Sequence, residues 1–338
     1  MTLDFIDKTL DVKDPPDFTV VSTFAGCGGS STGYVWAGGK VLLAVEWDNN
    51  AVETYRLNYP DTPIYHGDIA ELSVEECLRL SGLQAGELDI LDGSPPCQGF
   101  STAGKREIAD ERNQLFREYA RLLRGLRPKV FIMENVPGMV KGKMKLIFAE
   151  VMRELKASGY RVRCQKLNTM YFGVPQSRER LIFIGVRDDL GITPSFPKAQ
   201  TRPIAIRDAF RDLEFIGIGL THTAAKIVHL MRQGNNGKQF ANQYGHELHR
   251  LRWDRPSPTM LKNFRQSGAM GLIHPDIDRH IGIQEATRIA SFHDKFQLIG
   301  NIKQQWERIG NSVPPRFMQA IAEHVRDEIL AEATNGSA

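Results

Sequence analysis

Between Phe18 and about residue 188 the sequence repeats one unit: a short apolar run, a polar or glycine-rich tip, then an amphipathic stretch of helical length. That alternation builds an α/β sheet with parallel strands, because each return to a parallel neighbour needs a crossover. The first unit is Phe-Thr-Val-Val-Ser-Thr-Phe from Phe18, broken by Ala25-Gly26-Cys27-Gly28-Gly29-Ser30-Ser31-Thr32-Gly33. Glycines at such a turn let the backbone approach a ligand, and a following helix start offers free N–H groups. A Walker loop is excluded, since Tyr34 follows Gly33 where Lys-Ser/Thr is required. A dinucleotide fingerprint is met only in part: Gly26-Cys27-Gly28 fits, but Ser31 stands where the third glycine belongs.

The next strands also end on chemistry. Val41-Leu42-Leu43-Ala44-Val45 runs into Glu46-Trp47-Asp48, where a carboxylate can accept ribose hydroxyls and an indole offers a flat face to an adenine. The alternative is a helix cap at Asp48 with Glu46 merely exposed. Ile64-Tyr65 is a short third strand before Gly67-Asp68-Ile69. Leu88-Asp89-Ile90-Leu91-Asp92 has the apolar content of a buried strand and leads to Gly93-Ser94-Pro95-Pro96-Cys97-Gln98-Gly99-Phe100-Ser101. Two prolines stop ladder pairing there and hold the Cys97 thiol at a strand's carboxyl edge, where open α/β sheets bind ligands. The competing reading is a packed apolar cysteine.

Residues 101–113 are polar and basic, with the character of a mobile lid. Leu115, Tyr119, Leu122, Leu123 and Leu126 then predict an amphipathic helix, and Val130-Phe131-Ile132-Met133 a strand ending at Glu134-Asn135-Val136. Met144, Ile147, Phe148, Val151, Met152 and Leu155 predict another helix, with strands over 161–167 and 181–186. The segment joining those strands holds Arg178 and Arg180, which share a face if it is extended. A surface ion-pair cluster with Glu179 is the alternative.

Past residue 188 the alternation is lost, and helices return only over 284–292 and through Phe317, Ile321, Val325 and Ile329. The predicted organisation is a leader over 1–17, a first domain of 18–188 plus 300–338, and an irregular second domain over 189–299. The net charge of +3 names no partner, but residues 226–265 hold eight Lys/Arg against two acids, the footprint of phosphate binding. Four cysteines without CxxC spacing argue against structural zinc and for a reducing compartment. His246-Glu247-Leu248-His249 lacks helical zinc spacing and reads as a solvated segment. No run reaches the ~18 apolar residues of a membrane span, and the acidic start is unlike a signal peptide, so a cytoplasmic, nucleoid-associated protein is expected.

Taken in order, these segments resemble the DNA (cytosine-5) methyltransferases from about Phe18 to Val325. Phe24-Ala25-Gly26-Cys27-Gly28-Gly29 resembles the first cofactor motif of that family; Glu46-Trp47 and Gly67-Asp68-Ile69 resemble the next two. Pro95-Pro96-Cys97-Gln98 is similar to its nucleophile motif, Glu134-Asn135-Val136 to its ENV, 176–180 to its QxRxR, and Gly310-Asn311-Ser312-Val313 to its C-terminal motif. The resemblance implies a Rossmann-like S-adenosylmethionine-dependent methyltransferase sheet with a smaller target-recognition domain, and no metal.

It implies Cys97 as the nucleophile at cytosine C6 and Glu134 as the acid at N3. Glu134 must carry a proton at the critical step, which calls for a desolvated pocket. Arg180 is implied at cytosine O2, with Arg178 holding the nucleophile's surroundings. For S-adenosylmethionine it implies Phe24, Ala25, Gly26, Cys27, Gly29, Glu46, Trp47, Asp68, Ile69, Pro96, Leu115, Asn311, Ser312 and Val313. One nucleoside without a pyrophosphate does not need the missing third glycine. Double-stranded DNA is the implied partner, with Arg112, Arg250, Arg252, Arg255 and Thr259 as contacts. A cognate restriction endonuclease would act separately from a monomeric enzyme.

Three departures touch only the segment that supports the recognition domain: Gly282, Gln284 and His293 stand where the family has Thr, Arg and Pro. A nicotinamide dehydrogenase would leave the Cys97, Glu134 and Arg180 motifs idle, and a DNA-binding module would need none of them. The tRNA branch of the family carries a Cys-Phe-Thr signature that is absent here, which favours DNA.

Overall fold

The computed structural model describes residues 6–96, 112–142, 144–213, 217–220, 222–235, 247–262 and 270–335. Its backbone divides into two compact units. One comprises residues 10–167, 179–198 and 318–338; the other 1–9, 168–178 and 199–317.

The first unit is built on a seven-stranded sheet. Its strands are β1 (Phe18–Thr23), β2 (Gly39–Glu46), β3 (Ile64–His66), β4 (Ile90–Gly93), β5 (Val130–Asn135), β6 (Tyr160–Asn168) and β7 (Glu179–Arg187), in the spatial order β3-β2-β1-β4-β5-β7-β6. β1, β2, β3, β4 and β5 pair in parallel, whereas β7 runs antiparallel to β5, with Glu134 opposite Ile182 and Asn135 opposite Leu181. β1 and β4 lie mid-sheet and are buried almost throughout, which is why they read as β-branched and apolar runs rather than as alternating ones.

The crossovers are α1 (Gly29–Trp36), α2 (Asn49–Asn58), α3 (Val74–Ser81), α4 (Arg112–Leu126) and α5 (Met144–Ala157). α4 follows its predicted face: Tyr119, Leu122, Leu123 and Leu126 are all buried in one core with Val21, Leu43, Phe131, Leu155 and Phe183. Each large side chain so buried contributes about 2 kcal/mol. α2 is capped by Asp48, whose Oδ1 accepts from the Ala51 N–H (2.8 Å).

The second unit is less regular but not without a sheet: β8 (Glu247–Arg250) pairs in parallel with β9 (Met270–Ile273). Leu248 and Ile273 are buried with Ala224, Ile227, Val228 and Met231. This corrects the solvated reading of residues 246–249, since Leu248 is a core residue; His246 itself lies outside the described residues. Residues 168–178 join this unit because Ser177 N–H donates to Ser257 O and Ser257 N–H to Pro175 O (2.8 and 2.9 Å). The chain also divides at other residues than the pattern break at 188, with 300–317 in the second unit. Of the leader, Ile6 O accepts from the Asp294 N–H (3.0 Å).

Candidate active site

The strand order makes β1 and β4 the switch point of the sheet: the chain turns one way to β2 and β3, and the other way to β5. A crevice opens at the carboxyl ends of strands at such a point. The segments that leave β1 and β4 there are 24–29 and 94–97. β7 is antiparallel to β5, so its amino end, with Arg180 just inside it, comes to the same edge as the carboxyl end of β5, which carries Glu134. Arg180 Nε stands 2.5 Å from Glu134 Oε1, and both side chains are nearly buried. Arg180 Nη1–H also donates to Glu179 O (2.7 Å).

The surface cluster considered for this segment does not form, because the Glu179 side chain is taken by Lys166 at 2.8 Å. Nor do Arg178 and Arg180 act as one pair. Arg178 belongs to the second unit, where its guanidinium donates to Met260 O (3.2 Å) and Gly310 O (3.0 Å). Cys97 and residues 101–111 lie outside the described residues, as does the side chain of Arg112, the first residue of α4. The approach to Cys97 is described: Pro95 is buried, Pro96 is exposed, and Asn135 Nδ2–H donates to Pro95 O (3.2 Å). Asn135 Oδ1 in turn accepts from Val136 N–H (2.8 Å). Asn135 thus ties the tip of β5 to the segment that leads to Cys97, a contact its place in the sequence did not disclose.

The loop after β1 is wound tightly. Phe24 has φ +55°, a region that a bulky residue enters only under strain of order 1–3 kcal/mol. Gly28 has φ +98°, and a Cβ there would stand 2.4 Å from the Tyr59 ring. Tyr59 OH donates to Gly28 O (3.0 Å) and Thr32 Oγ1–H donates to the same carbonyl (2.9 Å), so α1 and the residue that ends α2 fasten the loop. Ala25 and Cys27 are buried, Gly29 opens α1, and nothing lies within 4 Å of where a Cβ on Gly26 would be.

Glu46 is buried at the end of β2, its Oε2 accepting from Gly26 N–H (2.8 Å) and its Oε1 from Trp47 and Asp48 N–H (both 2.9 Å). Of a carboxylate's four or so acceptor positions, about one is left for a ribose hydroxyl while these bonds persist. Trp47 is 76% exposed, an unusual state for an indole and consistent with a stacking platform. Asp68 is exposed and Ile69 buried; the Ile69 carbonyl accepts from Arg121 of α4 (3.0 Å), as does Leu72 O (2.8 Å). Leu115 is partly buried against the core.

The remaining expected residues are in the second unit. Val313 is buried, Ser312 caps the helix Ile302–Asn311 with Oγ donating to Ile309 O (2.8 Å), and Asn311 is exposed. Thr259 is exposed and its Oγ1 donates to Ser177 O (2.9 Å). Arg255 is exposed, 3.7 Å from Asp254, while Arg252 forks onto both Asp254 oxygens (2.8 and 2.7 Å). Arg250 requires a correction. It is buried, donating to His274 O (3.0 Å) and Val228 O (2.8 Å) and pairing with Asp278, so it serves the interior of this unit and not a phosphate.

A buried carboxylate that the sequence reading passed over is Asp92 on β4, the strand that leads to Cys97. Ser22 Oγ–H of β1 donates to Oδ2 (2.7 Å) and Tyr34 OH of α1 to Oδ1 (3.0 Å). Burial pushes its carboxyl up from 3.8 to about 7; Glu134 adds to the rise, and the Ser22 and Tyr34 hydroxyls oppose it. An aspartate inside a run buried on both faces was the available signal.

Comparison with known proteins agrees with this geometry. The family model described as C-5 cytosine-specific DNA methylase matches residues 18–327. The Type II methyltransferase M1.HphI of Haemophilus parahaemolyticus is 33% identical over 91% of this chain and 86% of its own length. M.Sau96I of Staphylococcus aureus, also a Type II methyltransferase, is 33% identical over 94% and 77%. Among solved structures, a prophage-encoded protein of E. coli superposes with a TM-score of 0.77 at 24% identity, covering 94% of this chain and 99% of that one, and so shares its fold.

Proposed function

Because the chain belongs to the C-5 cytosine-specific DNA methylase family, whose members take a methyl group from S-adenosylmethionine, we propose that it methylates one sequence-defined cytosine in double-stranded DNA through a flipped base and a covalent Cys97–C6 adduct. The observation that carries this reading is the Glu134–Arg180 pair, 2.5 Å apart at the edge of the sheet where Asn135 holds the segment leading to Cys97. Cytosine C5 is a poor nucleophile, so the ring must first be attacked at C6. That atom is out of reach in a stacked duplex, and extruding the base costs a few kcal/mol.

The Cys97 thiolate forms the bond to C6 while the ring's electron pair moves toward N3, where Glu134 delivers its proton. Arg180, with five donors in a fixed fork, can hold Glu134 and bond cytosine O2 together. C5, now an enamine carbon, takes the methyl group. Loss of H5 to a base, expulsion of the thiolate and return of the N3 proton restore the ring. S-adenosylmethionine, when bound, would supply the electrophilic methyl group on its sulfonium, the S–CH3 bond breaking as C5 is methylated and S-adenosylhomocysteine leaving as the neutral thioether.

The residues of the first unit fit that molecule: a buried acceptor at Glu46, an exposed indole at Trp47, open space over Gly26, and a hydrogen-bonding side chain at Asp68. Counting acceptors, Glu46 can take the second ribose hydroxyl only by releasing one of its three N–H partners. The roles that the resemblance implies for Phe24, Ala25, Cys27, Gly29, Ile69, Pro96, Leu115, Asn311, Ser312, Val313 and Arg178 belong to the same proposal. So do DNA contacts at Arg112, Arg252, Arg255 and Thr259, a monomeric enzyme, a cytoplasmic location and a separate cognate endonuclease. Among the described residues no helix is long and apolar enough to cross a membrane.

The test is bisulfite sequencing of plasmid DNA incubated with the protein and S-adenosylmethionine. Wild type should protect cytosine at one recurring sequence, and Glu134→Gln should slow that protection by roughly 10²–10⁴-fold. Absence of protection by the wild-type protein contradicts the proposal.

A further inference from the structure

A fully buried carboxylate next to an active site is costly unless it does something that a neutral side chain cannot. Asp92 is such a group. The two strands whose tips carry the proposed cofactor loop and nucleophile segment, β1 and β4, are neighbours in register, with Ser22 opposite Asp92 and Thr23 opposite Gly93. Across that register Ser22 Oγ–H donates to the Asp92 carboxylate (2.7 Å) and Thr23 Oγ1–H to the Asp92 carbonyl (2.8 Å). Tyr34, from the helix that the Gly28 turn begins, donates to the second carboxylate oxygen (3.0 Å). The next residue cannot carry a side chain, since a Cβ on Gly93 would meet the Tyr119 ring at 2.5 Å and Thr23 Oγ1 at 2.6 Å. One carboxylate therefore joins β1, α1 and β4 immediately below the point where both loops depart.

We propose that Asp92 is a positioning residue for methyl transfer, its ionised carboxylate clamping the β1 and β4 tips through Ser22 and Tyr34 so that the loops they carry hold their working geometry. Both oxygens are used as acceptors. Protonation turns one of them into a donor and forfeits a hydroxyl bond from Ser22 or Tyr34. Among the described residues, the titratable groups that face Asp92 are Glu134 of β5 and Tyr34, Tyr55 and Tyr119 of α1, α2 and α4. The three tyrosines are fully buried and their hydroxyls are pushed further from ionisation, so near neutrality Asp92 is the group in this cluster whose charge changes the clamp.

The inference rests on the reading of the protein as a cytosine methyltransferase, and the experiment separates the two. Single-turnover methylation of a duplex bearing the mapped cytosine is measured from pH 5.5 to 8.5 with wild type, Asp92→Asn, Ser22→Ala and Tyr34→Phe. Wild type should lose about tenfold per unit below a midpoint near 7. Asp92→Asn should lack that limb. Ser22→Ala and Tyr34→Phe, which remove donors that favour the carboxylate, should move it to higher pH. If Asp92→Asn does not fold, the two hydroxyl variants decide. A limb in the same place in every folded variant, as a Cys97 limb would be, overturns the inference and leaves the methyltransferase reading intact. No methylation by wild type at any pH overturns that reading and the inference with it.

Discussion

Asp92 weakens the folded state at neutral pH. Its carboxyl is raised from 3.8 to about 7, chiefly by burial, so the native protein keeps a proton that the unfolded chain has already lost. For an acid raised in the folded state, stability is greatest below the unfolded value and falls as pH rises through the window from about 4 to about 7. Asp92→Asn does not titrate. The unfolding free energy of wild type relative to this variant should therefore fall by a few kcal/mol across that window and level off above it. Urea melts at several pH values check this, and a pH-independent difference contradicts it. The residue was hard to see in sequence because Leu88-Asp89-Ile90-Leu91-Asp92 reads as a strand on its apolar members alone. Two carboxylates in one buried run required partners, and those came from Thr19, Lys129, Ser22 and Tyr34 on other elements.

At the scale of elements, the turn from β1 into α1 bears the most constraint. Gly28 is left-handed, its Cβ direction is blocked by the Tyr59 ring, and its carbonyl is held by Tyr59 and Thr32. Gly28→Ala should cost on the order of 1–3 kcal/mol and weaken S-adenosylmethionine binding, because the ring must move and the loop with it. Thermal unfolding and calorimetric titration read both effects; unchanged binding would mean that the loop is not part of the cofactor site. This turn was legible in sequence, since glycines between a β-branched run and a helix have few other uses. α4 was legible because Leu115, Tyr119, Leu122, Leu123 and Leu126 keep helical spacing. β8 and β9 were not, since each has four residues and their core partners come from elsewhere in the chain. The separation of Arg178 from Arg180 was equally hidden. Extended spacing puts alternate residues on one face, but the unit boundary falls between 178 and 179.

For the molecule as a whole, charge is the property most changed by seeing side chains. The eight basic residues over 226–265 overstate what is available to phosphates, because Arg250 is buried and Arg252 is forked onto Asp254. Arg255→Ala should lower the salt slope of DNA binding by about 1, and Arg252→Ala by less because Asp254 already holds its guanidinium, both read from log affinity against log salt concentration. Arg250→Ala should instead destabilise its unit by several kcal/mol, as loss of a buried, multiply bonded guanidinium does. A reduced slope with unchanged stability for Arg250→Ala would overturn that division of roles. Beyond charge, the central claim is covalent attack by Cys97 on the target base. A duplex carrying 5-fluorocytosine at the mapped position blocks release, since the adduct cannot lose fluorine as it loses a proton. Incubated with S-adenosylmethionine, wild type should form a denaturation-resistant complex whose peptide map places the adduct on Cys97, and Cys97→Ser should form none. A complex captured by Cys97→Ser, or an adduct mapped to another residue, would contradict the account.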